Sequence, residues 1–309
     1  MLITLLQALA PIALLIALGA GLRRRAVLSD AFWPQAERLS YYVLLPALFI
    51  HGLASARLDG LPVWPMVAAL VASTVAVALG LWAARPHLAV SRPAFTSVFQ
   101  GGVRFNNYVG VSAAAGLFGA QGVALAAVAN AAIVPTVNIL CVLVFARYGH
   151  GGDASARGIA RQLLANPLVV ACAIGIGLQA GGVTLPTLLA HTLHTLGQAS
   201  LAIGLLCVGA ALDFSTARRW LRPVGQASLV KFLVMPLATL AACDAFGLHG
   251  AAAGAALLFQ SLPTASSSYI MARQLGGDAP LMAGIIASQT VLAGLTLPAV
   301  MLAHAQLWP

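Results

Sequence analysis

The chain has 309 residues, of which 61% are hydrophobic and 7% are charged, and its mean hydropathy is +0.94. A membrane-spanning helix needs about 20 mainly apolar residues, and the sequence contains ten such segments joined by short loops. This composition excludes a sizeable soluble domain and predicts an all-α polytopic membrane protein. Membrane topology explains the net charge of +9 better than nucleic-acid binding does.

The distribution of basic residues predicts how the ten spans are oriented. Loops after odd-numbered spans hold thirteen Lys and Arg residues, whereas loops after even-numbered spans hold Arg57 alone. Because cytoplasmic loops carry the excess of Lys and Arg, the odd loops are predicted to be cytoplasmic in an inner-membrane protein with both termini extracytoplasmic. No cleavable signal peptide is predicted, since the first arginines follow span 1. The spans are 2–22, 34–54, 62–84, 93–118, 121–146, 162–180, 186–211, 221–246, 249–274 and 279–305.

An internal repeat is predicted from matched residues in the two halves of the chain. The longest polar connection, 148–161, is predicted to be a cytoplasmic loop that separates a first five-helix repeat, 1–147, from a second, 162–309. An odd number of spans per half makes the second half enter the membrane from the opposite side, which gives an inverted repeat. The matched positions are Pro11, Gly19 and Gly21 with Pro167, Gly175 and Gly177, and Phe99-Gln100 with Phe259-Gln260.

Two spans are interrupted in corresponding places by polar or helix-breaking residues. Span 4 contains FQGGVRFNNYVG from Phe99 to Gly110, and span 9 contains FQSLPTASSSYIMAR from Phe259 to Arg273. In hydrocarbon, irregular backbone is tolerated only where it lines a cavity or is buried in protein, because every N–H and C=O needs a partner. Paired breaks of this kind indicate a transporter's binding site. The alternative is two kinked but continuous helices.

Two basic residues lie inside predicted spans. Arg104 is near the middle of span 4, and Lys231 is ten residues into span 8, about 15 Å deep. All seven acidic residues fall at span ends or in loops, so no carboxylate is predicted beside these cations. Buried charge is costly and usually marks a pathway, and half-helix N-termini also favour anions. The pattern therefore predicts an anionic substrate.

The candidate site residues belong to the two interruptions and to polar positions of neighbouring spans. Lys231 is alternatively a brace for backbone carbonyls, and Asn130 and Asn138 alternatively link helices. No metal or cofactor is predicted, because the four cysteines lack ligand spacing and His191 and His194 have no third ligand nearby. We predict substrate-binding roles for Arg104, Asn106, Asn107, Asn130, Pro263, Thr264, Ser266, Ser267 and Ser268, and supporting roles for Gln100, Gln260, Lys231, Asn138 and Gln289.

Several motifs resemble the auxin efflux carrier family, which includes PIN-like and bacterial carriers. The most specific is LPTASSSYIMARQ at 262–274, which is similar to the LP-x5-[FY]-x-x-A-[KR]-[EQ] segment of that family. LVKFLVMP at 229–236 resembles its eighth helix, and QAERLSYYVLLPALF at 35–49 resembles its second. Asn166-Pro167 and Leu185-Pro186 are similar to its sixth helix and the turn that follows, so the resemblance covers essentially the whole chain.

The resemblance implies ten helices in a five-plus-five inverted repeat, with crossed, broken helices 4 and 9. It implies a scaffold of helices 1, 2, 6 and 7 and a transport domain of helices 3–5 and 8–10 that moves as an elevator. A homodimer through the scaffold helices is compatible with this arrangement. Pro263 would be the crossover proline of helix 9, and the substrates would be organic carboxylates. Helix 4 departs from the family, because Arg104-Phe105-Asn106-Asn107 stands where many members have Pro-Asn or Asn-Thr, so substrate identity does not carry over.

The resulting hypothesis is a secondary transporter that moves a small organic anion, a carboxylate, across the inner membrane by alternating access. Its predicted partners are this substrate and the lipid bilayer, with no nucleic acid. One alternative is a sodium-coupled organic-anion symporter of the bile-acid-carrier type, and another is a channel. An enzyme is not predicted, because HExxH, GxSxG and membrane aspartate pairs are absent from the sequence.

Overall fold

The computed structural model of the protein describes residues 2–55, 61–149, 167–212 and 220–307. All regular elements in these ranges are helices, which confirms the predicted all-α membrane class. The described residues include six helical stretches that are long and apolar enough to cross a membrane, and two shorter apolar helices, Pro167–Ala180 and Gly250–Gln260. The six are Gln7–Arg24, Val63–Ala83, Arg92–Tyr148, Thr187–Ala210, Leu221–Ala245 and Ala279–Gln306.

The helix bounds agree with the predicted spans to within a few residues wherever both can be compared. The predicted connecting loop, 148–161, lies outside the described residues apart from its first two positions. In chain order the α-helices are α1 (Leu2–Arg24), α2 (Phe32–Leu39), α3 (Leu45–Ala54), α4 (Val63–Ala83), α5 (Arg92–Val103), α6 (Asn107–Tyr148), α7 (Pro167–Ala180), α8 (Thr187–Ala210), α9 (Leu221–Leu229), α10 (Met235–Ala245), α11 (Gly250–Gln260), α12 (Ser267–Gln274) and α13 (Ala279–Leu307).

One compact unit comprises the described residues of Met1–Leu61, Asn107–Val134 and Gln162–Ala211. In this unit α1 packs along α8, and α3 packs against α7 and α8. Glycine makes the first approach possible, since a Cβ atom added at Gly209 would lie 1.8 Å from the carbonyl oxygen of Ile16. Small residues at such contacts are the usual means by which helices approach closely in lipid.

A second compact unit comprises the described residues of Pro62–Asn106, Pro135–Arg161 and Leu212–Pro309. Here α4 packs on α10, and α5 packs against α9 and α13. The short helices α11 and α12 also pack on α13. Helix α13 is therefore the common neighbour of α5, α11 and α12. The five-plus-five repeat and the scaffold and transport domains stay predictions.

Both predicted interruptions are present, so the alternative of two continuous helices is wrong. Helix α5 ends at Val103 and α6 begins at Asn107, with non-helical residues between them. Helix α11 ends at Gln260 and α12 begins at Ser267. The continuous stretch α6 also contains a sharp turn at Gly119, where φ is 60° and ψ is −140°. This turn falls between predicted spans 4 and 5, and its left-handed backbone favours glycine.

Two short π-helical segments were not predicted from the sequence. They cover Ser40–Leu44 and Val230–Val234. Each is followed directly by a dipeptide that ends in proline, Leu45-Pro46 or Met235-Pro236. The N–H groups of Leu45 and Met235 donate five residues back, to the carbonyls of Ser40 and Val230. A proline lacks an N–H and its ring crowds the preceding turn. A wider turn relieves that crowding, and in α-helices such π-bulges occur frequently at functional sites.

Candidate substrate site at the paired helix breaks

The first break follows a glycine pair at the end of α5. A Cβ atom at Gly101 would lie 2.7 Å from Cγ2 of Ile285 and 3.0 Å from Cβ of Ala227. The bare backbone therefore lets α5 come close to α9 and α13. Arg104 is the C-terminal cap, with an extended ψ of 162°, and its N–H donates to the carbonyl of Gln100 at 2.8 Å. The helix thus ends in the interior of the unit, and its last carbonyls are available to accept hydrogen bonds from other segments.

The second break is built around Pro263, which removes one backbone donor. Before it, the N–H of Ser261 contacts the carbonyls of Leu257 and Leu258, each at 3.0 Å. The Ser261 hydroxyl also donates to the Leu257 carbonyl at 2.7 Å. After the proline, the N–H of Ser268 donates to the Ala265 carbonyl at 3.0 Å, which starts the next helical turn. The backbone on each side of the proline therefore has local hydrogen bonds.

Gln289 of α13 joins the two breaks. Its side-chain Nε2 donates to the Gly101 carbonyl at 2.9 Å, and its Oε1 accepts from the Thr264 N–H at 3.0 Å. Gly101 lies in the last turn of α5, where carbonyls lack a partner within the helix. Thr264 follows the proline and lies outside any helix. One buried amide therefore satisfies a carbonyl from the first break and an N–H from the second, as an apolar environment requires.

Gln100 and two hydroxyl groups add further contacts between the broken segments. Gln100 Nε2 donates to the Ser268 carbonyl at 3.3 Å and approaches Sδ of Met282 at 3.8 Å. The Thr264 and Ser268 hydroxyl oxygens are 3.2 Å apart, so one donates to the other. Gln100, Thr264 and Ser268 are fully buried. The structure thus brings together Gln100, Gln289 and the polar residues of the second break.

The Arg104 guanidinium lies at the junction of the first break, α12 and α6. Its Nη1 donates to Asn138 Oδ1 at 3.0 Å and contacts Met271 Sδ at 3.6 Å. Its Nη2 donates to the Ser267 hydroxyl at 3.2 Å. Its Nε is buried without a hydrogen-bond partner. The guanidinium therefore has capacity for at least one more acceptor.

The surroundings of Arg104 are polar but carry no compensating negative charge. Asn138, Ser267 and Met271 are all neutral, and among the described residues Arg104 makes no ion pair. A buried cation without a counter-ion is unfavourable, because its attraction to neutral dipoles replaces hydration only in part. The N-terminus of α12 begins at Ser267 and adds partial positive charge. This arrangement favours an anion beside Arg104.

Three other predicted residues have different surroundings. Gln260 Nε2 binds α4, at 2.7 Å from Thr74 Oγ1 and 3.1 Å from Ser73 Oγ. Lys231 lies in the second π-helical segment, fully buried, and its Nζ has no hydrogen-bond partner in the described part of the chain. Asn130 belongs to the other compact unit, where its Nδ2 donates to the Ala126 carbonyl at 2.8 Å.

The remaining predicted residues frame the breaks. Asn106 is buried at the end of the first break, and Asn107 begins α6 with its Oδ1 buried and without a hydrogen-bond partner. Pro263 is buried, and Ser266 is the N-terminal cap of α12. In the ranges that the structure covers, no group of three His, Cys, Asp or Glu residues is arranged to hold a metal ion.

Met271 is a contact of Arg104 that the sequence analysis missed. It lies four residues after Ser267, so both side chains project from the same face of α12 and reach one guanidinium. That spacing was visible in the sequence, but a methionine in an apolar segment is ordinarily a packing residue. Ser73 and Thr74, the partners of Gln260, were missed for a different reason, because nothing in the sequence marks α4 as the neighbour of α11.

Comparisons with known proteins agree with this architecture. Residues 4–301 match the model of a family described as membrane transport protein. The chain belongs to that family, which confirms the predicted auxin efflux carrier and PIN-like membership. A curated relative from Methanothermobacter thermautotrophicus is described as an uncharacterized transporter. It is 24% identical over 291 residues, which cover 92% of this chain and 93% of the relative. The protein is thus a multi-pass member of a membrane transport family.

Proposed function

We propose that the protein is a secondary transporter for a small organic anion, a carboxylate, that binds beside Arg104 between the two helix breaks. One observation carries this proposal: a partly buried guanidinium that is held by neutral groups and has a buried, unpaired Nε. A carboxylate would supply the missing negative charge and could accept two parallel N–H bonds. The hydroxyls of Ser267 and of the Thr264 and Ser268 pair would contribute neutral hydrogen bonds.

The transport step that we propose is alternating access across the inner membrane, with cytoplasmic odd-numbered loops. The breaks, Arg104 and Gln289 all belong to the second compact unit. This supports an elevator mechanism in which the unit carries the substrate as a body. Substrate bound at hydrogen-bonded helix ends, instead of at a flexible loop, can be retained during such a movement.

Uptake into proteoliposomes tests the role of Arg104 most directly. A first screen would measure thermal stabilisation by mono- and dicarboxylates, since a ligand that binds the folded protein raises its melting temperature. The best ligand, radiolabelled, would then be used for uptake by the wild-type protein and by Arg104→Gln, Arg104→Lys and the control Arg24→Gln. Arg24 lies at the end of α1, where its side chain is exposed.

The expected result is a rise in the half-saturating substrate concentration of about 10- to 100-fold for Arg104→Gln, because hydrogen bonds to charged groups contribute about 1.5–3 kcal/mol. Arg104→Lys should fall between this variant and the wild type, since lysine keeps the charge but lacks the planar fork. Equal affinity in Arg104→Gln and Arg24→Gln would refute the assignment. Repeating uptake with and without a sodium gradient tests the symporter alternative, and counterflow of labelled against unlabelled substrate distinguishes a carrier from a channel.

A further inference from the structure

Three arginines surround a single tyrosine ring at one end of the second compact unit. The Cζ atoms of Arg85, Arg92 and Arg147 lie 5.7, 5.8 and 5.6 Å from the centroid of the Tyr148 ring. They come from three different places in the chain: the turn after α4, the first turn of α5 and the end of α6. Because all three guanidinium groups contact one ring, their positive charges are concentrated at one place on the unit.

The cluster has aromatic support but no negative charge. The Tyr148 ring also packs against Phe95, with centroids 5.1 Å apart, and approaches Trp82 at 6.2 Å. Arg92 Nη2 donates to the Arg147 carbonyl at 2.6 Å, so one arginine positions the backbone of another. In the described part of the chain none of the three arginines forms an ion pair. Cation–π contacts stabilise guanidinium groups, but they do not cancel the charge.

The helix dipole strengthens the positive potential of the cluster, and one of its guanidinium nitrogens has no hydrogen-bond partner. Arg92 is the first residue of α5, whose first turn contains no acidic residue, so a cation lies at the positive end of the helix dipole. Arg85 Nε is buried without a hydrogen-bond partner. The acid of the neighbouring segment, Asp278, directs Oδ1 to the N–H of Leu281 at 3.0 Å, where it caps α13. The cluster therefore lacks an acceptor that the described residues could supply.

The location indicates which kind of anion would bind. Trp82, Tyr148 and the arginines lie where α4 ends, α5 begins and α6 ends, which are ends of membrane-spanning stretches. Tryptophan and tyrosine are enriched at the headgroup level of the bilayer. All three arginines also lie on loops that the charge pattern predicts to be cytoplasmic. Basic pockets between helices at this level bind anionic headgroups.

We propose that Arg85, Arg92 and Arg147, arranged around Tyr148, form a binding site for the phosphodiester headgroup of an anionic phospholipid. The phosphate oxygens accept hydrogen bonds from the guanidinium groups, including Arg85 Nε, while the acyl chains extend along the apolar helix surfaces. The site is independent of the transported substrate and of Arg104. Its role is to hold this end of α4, α5 and α6 at the headgroup level.

The test uses the full-length protein purified in a neutral detergent. Short-chain phosphatidylglycerol, the zwitterionic phosphatidylcholine of the same chain length, and inorganic phosphate are each titrated and their dissociation constants measured by calorimetry. The wild type should bind phosphatidylglycerol saturably and at least about tenfold more tightly than phosphatidylcholine. Inorganic phosphate should bind at least about tenfold more weakly than phosphatidylglycerol, because it lacks the acyl chains.

Variants separate a built site from diffuse positive charge. Replacing Arg85, Arg92 and Arg147 together by Gln should weaken phosphatidylglycerol binding on the order of 100-fold, since each guanidinium that donates to the bound phosphate contributes a factor of about five. The matched control replaces the exposed Arg24, Arg25 and Arg38 by Gln, which removes the same charge from loops with the same predicted orientation. This control should change the affinity by less than about threefold, because its arginines do not surround Tyr148 and affect the headgroup only through screened long-range charge.

Tyr148→Leu keeps every charge but removes the ring, and it should weaken binding by about tenfold. If the triple variant does not fold, Arg85→Gln alone is measured, with an expected loss of about fivefold. The proposal is overturned if both triple variants lose affinity equally, or if phosphatidylcholine binds as tightly as phosphatidylglycerol. It is also overturned if inorganic phosphate binds as tightly as the lipid, because the site would then serve a soluble anion.

Discussion

The contact between Gln289 and the two breaks leads to the sharpest stability prediction. In Gln289→Leu the side-chain volume is nearly unchanged, but the amide that binds the Gly101 carbonyl and the Thr264 N–H is lost. Gln289 is fully buried, and Gly101 and Thr264 are buried as well, so water does not replace the amide without opening the packing. Both backbone groups are then left unsatisfied.

The size of the effect follows from these two groups. A buried donor or acceptor without a partner costs about 1–3 kcal/mol, so the loss for two groups is about 2–6 kcal/mol. A change of 1 kcal/mol shifts the melting temperature of chains of 150–250 residues by about 2–4 °C. We therefore expect Gln289→Leu to melt at least about 4 °C below the wild type in a detergent-solubilised thermal melt.

Gln260→Leu is the matched control, because Gln260 is another fully buried glutamine at a helix break. Its hydroxyl partner Thr74 also donates to the Leu70 carbonyl at 2.7 Å, and Ser73 donates to the same carbonyl at 3.2 Å. Those hydroxyls keep a partner when the amide is removed, so the free energy of unfolding of this variant should fall by about 1 kcal/mol or less. Equal melting temperatures for the two variants would refute the reasoning that Gln289 satisfies otherwise unpaired groups.

Two further predictions concern packing and charge in the same unit. Gly101→Ala should lower the free energy of unfolding by about 1–3 kcal/mol, because its Cβ would lie 2.7 Å from Ile285 and 3.0 Å from Ala227. In the control Gly225→Ala the added Cβ has no atom within 4 Å, so this variant should be neutral or stabilising. Chemical denaturation of both variants checks this prediction. Lys231→Met should melt no lower than the wild type, since it replaces an unpaired, fully buried cation by an apolar chain of similar length. A clear loss of melting temperature in Lys231→Met would show instead that the ammonium group braces the helix.

The breaks could be predicted because their physical cause is local. Pro263 cannot continue a helix, and the asparagines and serines beside Arg104 and Pro263 are poor residues for a lipid-exposed helix. The family segment at 262–274 pointed to the same place. Arg104 and Lys231 stood out because charge is rare in an apolar segment. Features of this kind depend on a few adjacent residues, and the sequence displays them directly.

The pairing across the site could not be predicted, because it depends on which helices are neighbours. Gln289 was identified as a supporting residue, but its two backbone partners lie 25 and 188 positions away in the chain. Asn138 was considered as a link between helices, and its bond to Arg104 follows from the packing of α6 in the second unit. The π-helical segments could not be predicted either, because they depend on how the turn before Pro46 or Pro236 relaxes. Proline alone is equally compatible with a simple kink.

Arg104 and Lys231, the two cations inside the second unit, have different environments, and this difference bears on where an anion binds. Lys231 Nζ has no hydrogen-bond partner among the described residues, whereas Arg104 is held in a defined orientation by Asn138 and Ser267. An anion binds most tightly to a charge whose donors are already oriented, because less conformational entropy is lost on binding. The cost of removing the Arg104 charge from water is also met during folding, before substrate arrives. The preorganised guanidinium is therefore the stronger candidate for direct substrate contact.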